Sequence, residues 1–132
     1  MNPSVTPSVN PFWVIDSARS FEAACAAVKA AVPRHGFGVL GLHDLGDTLR
    51  GKGFDSPEHC RVHEVCNPRQ AATVLRRAMA LTMTLPCRIS VYTQNGRTRL
   101  GMIRPVPMMA ALVPVAQEVE ATLQAILQEA AG

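Results

Sequence analysis

Apolar positions along the chain keep two periods, 2 and 3.6, and the switches between them mark the elements. Phe12 to Ile15 is a short apolar run that suits a first strand. Phe21, Ala24, Cys25, Val28 and Val32 then fall on one helical face, with Ser17 or Ser20 to cap its start and Pro33 and Gly36 to end it. Phe37 to Leu42 reads as a second strand, in which Gly38 and Gly41 mark a weak point or a bulge. Residues 43–60 are polar, glycine-rich and aperiodic, which predicts a long loop with one helical turn near Leu45–Arg50. Arg61–Cys66 is a third strand. Asn67 and Pro68 then supply a capping side chain followed by a proline at the first helical position, and the helix they open buries Ala71, Val74, Leu75 and Ala78.

The clearest local signal follows. Pro86–Thr93 alternates, Asn95-Gly96 suits a two-residue type I′ turn, and Arg97–Ile103 returns. Centring the turn there pairs Ile89 with Met102, Val91 with Leu100 and Thr93 with Thr98 on the core side. The other side carries Arg88, Ser90, Tyr92, Gln94, Arg97, Arg99 and Gly101. A last helix holds Leu112, Val115, Ala116, Val119, Leu123, Ile126, Leu127 and Ala130 on one stripe, with Pro114 in its first turn. The predicted class is α+β: two layers, an antiparallel sheet with helices on one face, in the order β-α-β-β-α-β-β-α.

Length fits one domain, residues 12–132, behind a leader over 1–11 whose Pro3, Pro7 and Pro11 favour an extended chain. Hydrophobic residues make up 48% of the chain and charged ones 17%, against roughly 25% in an average soluble domain. That excludes a disordered tail, a coiled coil and a highly charged nucleic-acid arm. No apolar run reaches the ~18 residues of a membrane span, and the N-terminus lacks a signal peptide, so a cytoplasmic address is expected.

Charge changes this picture. The net +3 hides a segregation, with seven arginines and no acid over 67–104 and three glutamates and no base over 105–132. Arginine's planar fork suits carboxylates and phosphates. The band is therefore either an anion-binding surface on the second helix and hairpin, or a set of partners for the last helix's glutamates or for a second subunit. Nucleic acid is not expected, because no helix-turn-helix, zinc-finger or RNA-recognition motif is present and Tyr92 is the one aromatic on the hairpin's open side.

Cys66 stands immediately before the cap Asn67, where free helix N–H groups would stabilise a thiolate. It is either a reactive thiol, with Cys87 as a possible partner, or a small hydrophobe packing on Ala71. Cys25 and Cys87 otherwise read as packing residues. His59 and His63 span a loop-to-strand junction, about 13 Å apart if extended, which makes a poor zinc site. A non-covalent haem needs one histidine, and His63, His43 or a methionine would serve, with arginines for its propionates. No nucleophile elbow, phosphate-binding loop, H-E-x-x-H or G-x-G-x-x-G occurs, so an enzyme is not the favoured expectation. Asp44 and Asp47 read as turn formers.

The run His63-Glu64-Val65-Cys66-Asn67-Pro68, with Ala71 and Leu75 behind it and Leu85-Pro86-Cys87-Arg88-Ile89 after it, resembles the domain-of-unknown-function family 302. His35 to Leu40 and the loop that follows resemble that family's second strand. The resemblance spans about residues 12–130 and implies a TATA-box-binding-protein-like α+β fold and a homodimer, without an activity to carry over. Residues 104–109, rich in proline and methionine, depart from the family's pattern.

The functional expectation is a non-enzymatic homodimer that binds a small anionic ligand such as haem. Its site would lie on the open sheet face or in a dimer groove, lined by His63, Arg88, Tyr92, Arg99 and His43, with His63 as the haem ligand. The alternatives are a thiol redox protein or sensor using Cys66 and Cys87, and a purely structural interaction module.

Overall fold

A computed structural model describes residues 11–105 and 113–132. Most of the expected leader, residues 1–10, and residues 106–112, with the expected helix residue Leu112, lie outside the described residues. The elements run β1 (Phe12–Ser17), α1 (Phe21–Arg34), β2 (Gly38–Asp44), α2 (Leu45–Gly51), β3 (Cys60–Cys66), α3 (Pro68–Arg77), a 3-10 segment (Met79–Thr84), β4 (Cys87–Gln94), β5 (Arg97–Ile103) and α4 (Val113–Ala131). The predicted order of strands and helices stands, with α2 and the 3-10 segment added to it.

The strands form one antiparallel sheet in the order β1-β5-β4-β3-β2. The β4–β5 register is the predicted one, with Tyr92 opposite Arg99 and Ile89 opposite Met102. Asn95 and Gly96 at the turn have φ of 53° and 79°, the left-handed values that a type I′ turn demands of both central residues. The predicted bulge appears as a register shift between Val39 and Gly41.

Helices cover one face of the sheet. The core joins Ala24, Val28 and Val32 of α1 and Leu123, Ile126 and Leu127 of α4 to Val65, Ile89, Val91 and Leu100 of the strands, all of them buried. Each of the valines, leucines and isoleucines among them contributes about 1.5–3 kcal/mol from leaving water, which is why the two helical stripes dictate the layer. Ser20, rather than Ser17, caps α1, its hydroxyl accepting the Ala23 N–H at 3.2 Å, while the Ser17 hydroxyl donates to the Ala131 carbonyl at 2.7 Å and ties β1 to the end of α4. Asn67 caps α3 as expected, accepting the Gln70 N–H at 3.1 Å ahead of Pro68.

Two local expectations are corrected. The 43–60 segment is less of a loop than its polarity implied, since β2 extends through His43 to Asp44 and α2 follows directly. The Asp44 side chain caps α2 by accepting the Asp47 N–H at 2.9 Å. Helix α3 ends at Arg77, and Ala78 is extended and exposed instead of buried. Gln70, a polar residue, takes a buried place on that helix by donating to Glu118 at 2.8 Å.

Candidate ligand-binding site

Alternation along the strands decides what the bare face of the sheet presents. In β3, Arg61, His63 and Val65 point one way and Val62 and Glu64 the other. His63 pairs with Ile89 and Glu64 with Arg88, so Arg88, Ser90 and Tyr92 share the bare face with Val62 and Glu64. The antiparallel pairing continues this face through Arg99 and Gly101 of β5 to Val14 and Asp16 of β1.

Phe12, Val14, Val62, Tyr92, Gly101 and Ile103, with Arg88, Ser90 and Met102, line an open basin of about 380 Å³ on this face. Phe12 is 58% exposed and Ile103 42%, high values for large apolar side chains on adjoining strands. Gly101 keeps the floor flat, because a Cβ there would stand 3.0 Å from Val14 Cγ2. A smaller cavity of about 50 Å³ adjoins the basin through Arg88 and Ile103 and is bounded by Met83 and Pro105.

The charged side chains of the bare face are unequally engaged. Asp16 accepts from Arg99 at 2.8 Å and from Arg97 at 3.2 Å, so two of the seven clustered arginines are matched within the sheet. Arg104 donates to Glu120 of α4 at 3.1 Å, the partner type expected of the last helix. His43 meets one Glu64 oxygen at 2.8 Å, while Arg88 lies 3.9 Å from the other, beyond hydrogen-bond length. The Arg88 guanidinium therefore sits at the basin edge with its donors open. Arg69, Arg76 and Arg77 of α3 make no ion pair among the described residues.

Of the five expected ligand residues, four (Arg88, Tyr92, Arg99 and His43) share the bare face, and His63 does not. Its imidazole is fully buried on the helix-packed face, so it cannot serve as axial ligand to a haem in the basin. The physical reason is the strand's period: a shared face with Arg61 and Val65 put His63 under α1. Burial lowers its pKa, helped by the positive charges of Arg61 and Lys29 and opposed by the Ile89 backbone. Sequence reasoning missed Phe12, Val14, Val62 and Ile103. The signal for Phe12 and Val14 was the unbroken apolar run of β1, which leaves apolar side chains on both faces.

The thiols give a different result from the one a helix start would produce. Cys66 and Cys87 line one small cavity of about 20 Å³ with Gln70 and Val74. Burial pushes the Cys66 thiol up, and burial together with the nearby Cys66 pushes Cys87 to about 11. Both are protonated at neutral pH, so the position before Asn67 does not create a thiolate. His59 stacks on Phe21 at 5.1 Å between centroids. Among the described residues, no group of three or more His, Cys, Asp or Glu side chains is placed to hold a metal ion. No described helix is long and apolar enough to cross a membrane.

Comparison with known proteins agrees with this architecture. The profile of a family described as Domain of unknown function DUF302 matches residues 13–130. The chain is similar to a crystal structure of an uncharacterized conserved DUF302 protein from Bacillus stearothermophilus, with 31% identity and a TM-score of 0.87 over 92% of this chain and 99% of that one. No curated protein matches. With the family profile matched over residues 13–130 and the similar structure covered almost end to end, the chain belongs to the DUF302 family.

Proposed function

We propose that this protein is a non-enzymatic, homodimeric binding domain whose bare sheet face takes a small apolar molecule bearing an anionic group. The observation that carries this reading is the basin itself: an apolar basin of about 380 Å³ with the Arg88 guanidinium, 3.9 Å from Glu64 and not hydrogen-bonded to it, at its edge. Ligand sites of this size, apolar with a few placed polar groups, span roughly 300–1,000 Å³. Ser90 and Tyr92 supply hydroxyls beside Arg88 to orient the ligand. Haem belongs to the same chemical class, and among the basin residues Tyr92 and Met102 are of iron-ligating types.

The homodimer is supported by a separate surface. Strand β2 is an edge of the sheet, and Val39, Leu40 and Leu42 on it are exposed, as are Leu45 and Leu49 of α2. Association of two β2 edges would cover these side chains at the far side of the sheet from Phe12 and Ile103.

Calorimetric titration with decanoate, a carboxylate on an apolar chain, tests the site. Binding that weakens about 10- to 100-fold in Arg88→Gln, as loss of a charge-assisted hydrogen bond implies, is the expected result. No binding, or equal binding by both proteins, overturns it. Hemin titration followed by absorption tests haem separately, a Soret shift lost in Tyr92→Phe being the result that assigns it.

A further inference from the structure

The strand registers line up the residues of the bare face in rows that cross the sheet. One row runs Val14, Gly101, Ser90, Val62, from β1 through β5 and β4 to β3. Two residues away along the central strands, on the same face, Arg88 and Ile103 stand on one side of that row and Tyr92 and Arg99 on the other. A small pair, Ser90 opposite Gly101, is thus surrounded by six larger side chains.

Strand geometry sets the size of this depression. About 14 Å separates the Cα atoms of Val14 and Val62, and about 13 Å those of the two flanking rows, so it is as broad as it is long. Side chains stand roughly perpendicular to a sheet, so Ile103, Arg88 and Tyr92 rise above a floor only a short side chain high. Gly101 holds the floor down: a Cβ there would lie 3.0 Å from Val14 Cγ2 and 3.4 Å from the Trp13 carbonyl oxygen. Val14 leans over the glycine, and its methyl group completes the floor on that side.

The floor carries one polar side chain. The Ser90 hydroxyl makes no hydrogen bond among the described residues. Arg99 is committed to Asp16 at 2.8 Å, which leaves Arg88, two residues from Ser90 on the same strand, as the cation. Glu64 is held by His43 at 2.8 Å on the β2 side and does not line the basin. A carboxylate above β4 can therefore accept from both the Ser90 hydroxyl and the Arg88 guanidinium. The group it carries then extends across Gly101 toward Val14.

Shape selects among such anions. A depression as broad as it is long and about one side chain deep matches a plane. A straight alkyl chain covers part of its width, and a globular cage rests on the rim. A fused aromatic ring fills it and meets Tyr92, the chain's single tyrosine, and the Arg88 guanidinium in contacts that favour aromatic partners. Building on the basin as the binding site, we propose that it selects planar aromatic carboxylates. The carboxylate is held by Arg88 and Ser90 Oγ, the ring lies over Gly101 between Ile103 and Tyr92, and Ser90 sets the specificity.

The test is calorimetric titration of wild type and Ser90→Val with naphthoate, adamantane carboxylate and decanoate. Valine raises the floor to the level of Val14 and Val62 and removes the hydroxyl, while its branched side chain suits a strand, and an unchanged amide spectrum checks the fold. Naphthoate should bind wild type about tenfold or more tighter than adamantane carboxylate, and Ser90→Val should weaken naphthoate by about tenfold or more. Decanoate binding without a preference for naphthoate over the cage overturns the shape selection and leaves the basin as a site. Naphthoate binding that Ser90→Val leaves unchanged overturns the role of Ser90. Absence of binding by all three carboxylates overturns this inference and the basin together.

Discussion

His63 lies opposite Ile89 across β3 and β4, and Arg88, one residue before Ile89, points to the other side of the sheet. That one-residue offset separates two chemistries. Arg88 meets solvent at the rim of an apolar basin, and His63 is enclosed beneath α1.

Replacing His63 should make the protein less sensitive to acid. Burial holds its folded pKa below the ordinary 6.5, so the unfolded chain takes up a proton that the folded chain refuses. Its contribution is fully present above about pH 6.5 and is lost as pH falls toward the folded value. His63→Leu, which removes a buried imidazole without partners, should be neutral or stabilising by about 1–3 kcal/mol and should flatten this part of the profile. Urea unfolding of both proteins across the acidic range reads it; a wild-type profile that His63→Leu leaves unchanged would contradict it.

Arg61 joins α1 to β2 through Glu22 and Asp44 and packs over Phe21. Arg61→Ala should cost on the order of 1–2 kcal/mol, a value held down by the exposure of Glu22. Arg61 also lowers the pKa values of Glu22 and Asp44, so its benefit is present above their ordinary 4.5 and 3.8 and fades as pH drops through the folded values. A difference between wild type and variant that grows on acidification would refute the pairing.

Cys66 and Cys87 should react slowly with iodoacetamide at neutral pH, because burial keeps both thiols protonated. Mass mapping of the labelled sites checks this. Fast, selective alkylation of Cys66 would contradict this and favour the thiol-redox interpretation.

Leu40 is 67% exposed on the edge strand β2, where the dimer is proposed to form. Leu40→Glu should convert a dimer to a monomer in light scattering without lowering the melting temperature of the monomer. A monomeric wild type contradicts the dimer outright.

Much of this fold was legible in the chain. The β4–β5 register followed from Asn95-Gly96 alone, because a type I′ turn fixes which residues face each other. The start of α3 followed from Asn67-Pro68, and the core stripes of α1 and α4 from their 3.6-residue period. The 3-10 segment was not legible, since Met79–Thr84 has no period and four of its six residues are exposed. The candidate site was only half legible. Arg88 and Tyr92 fell on the right face because the hairpin fixed them, whereas β3 has no turn to set its phase. Its polar His63 and apolar Val62 exchange the sides their chemistry implies, and only pairing with β4 settles which faces the core.

The claim that the bare sheet face is the binding surface is tested most directly by mapping amide shifts of labelled protein on titration with decanoate. The account predicts saturable shifts concentrated at Val14, Val62, Tyr92, Gly101 and Ile103, and greatly reduced in Arg88→Gln. Shifts confined to other surfaces, or none at all, would contradict it.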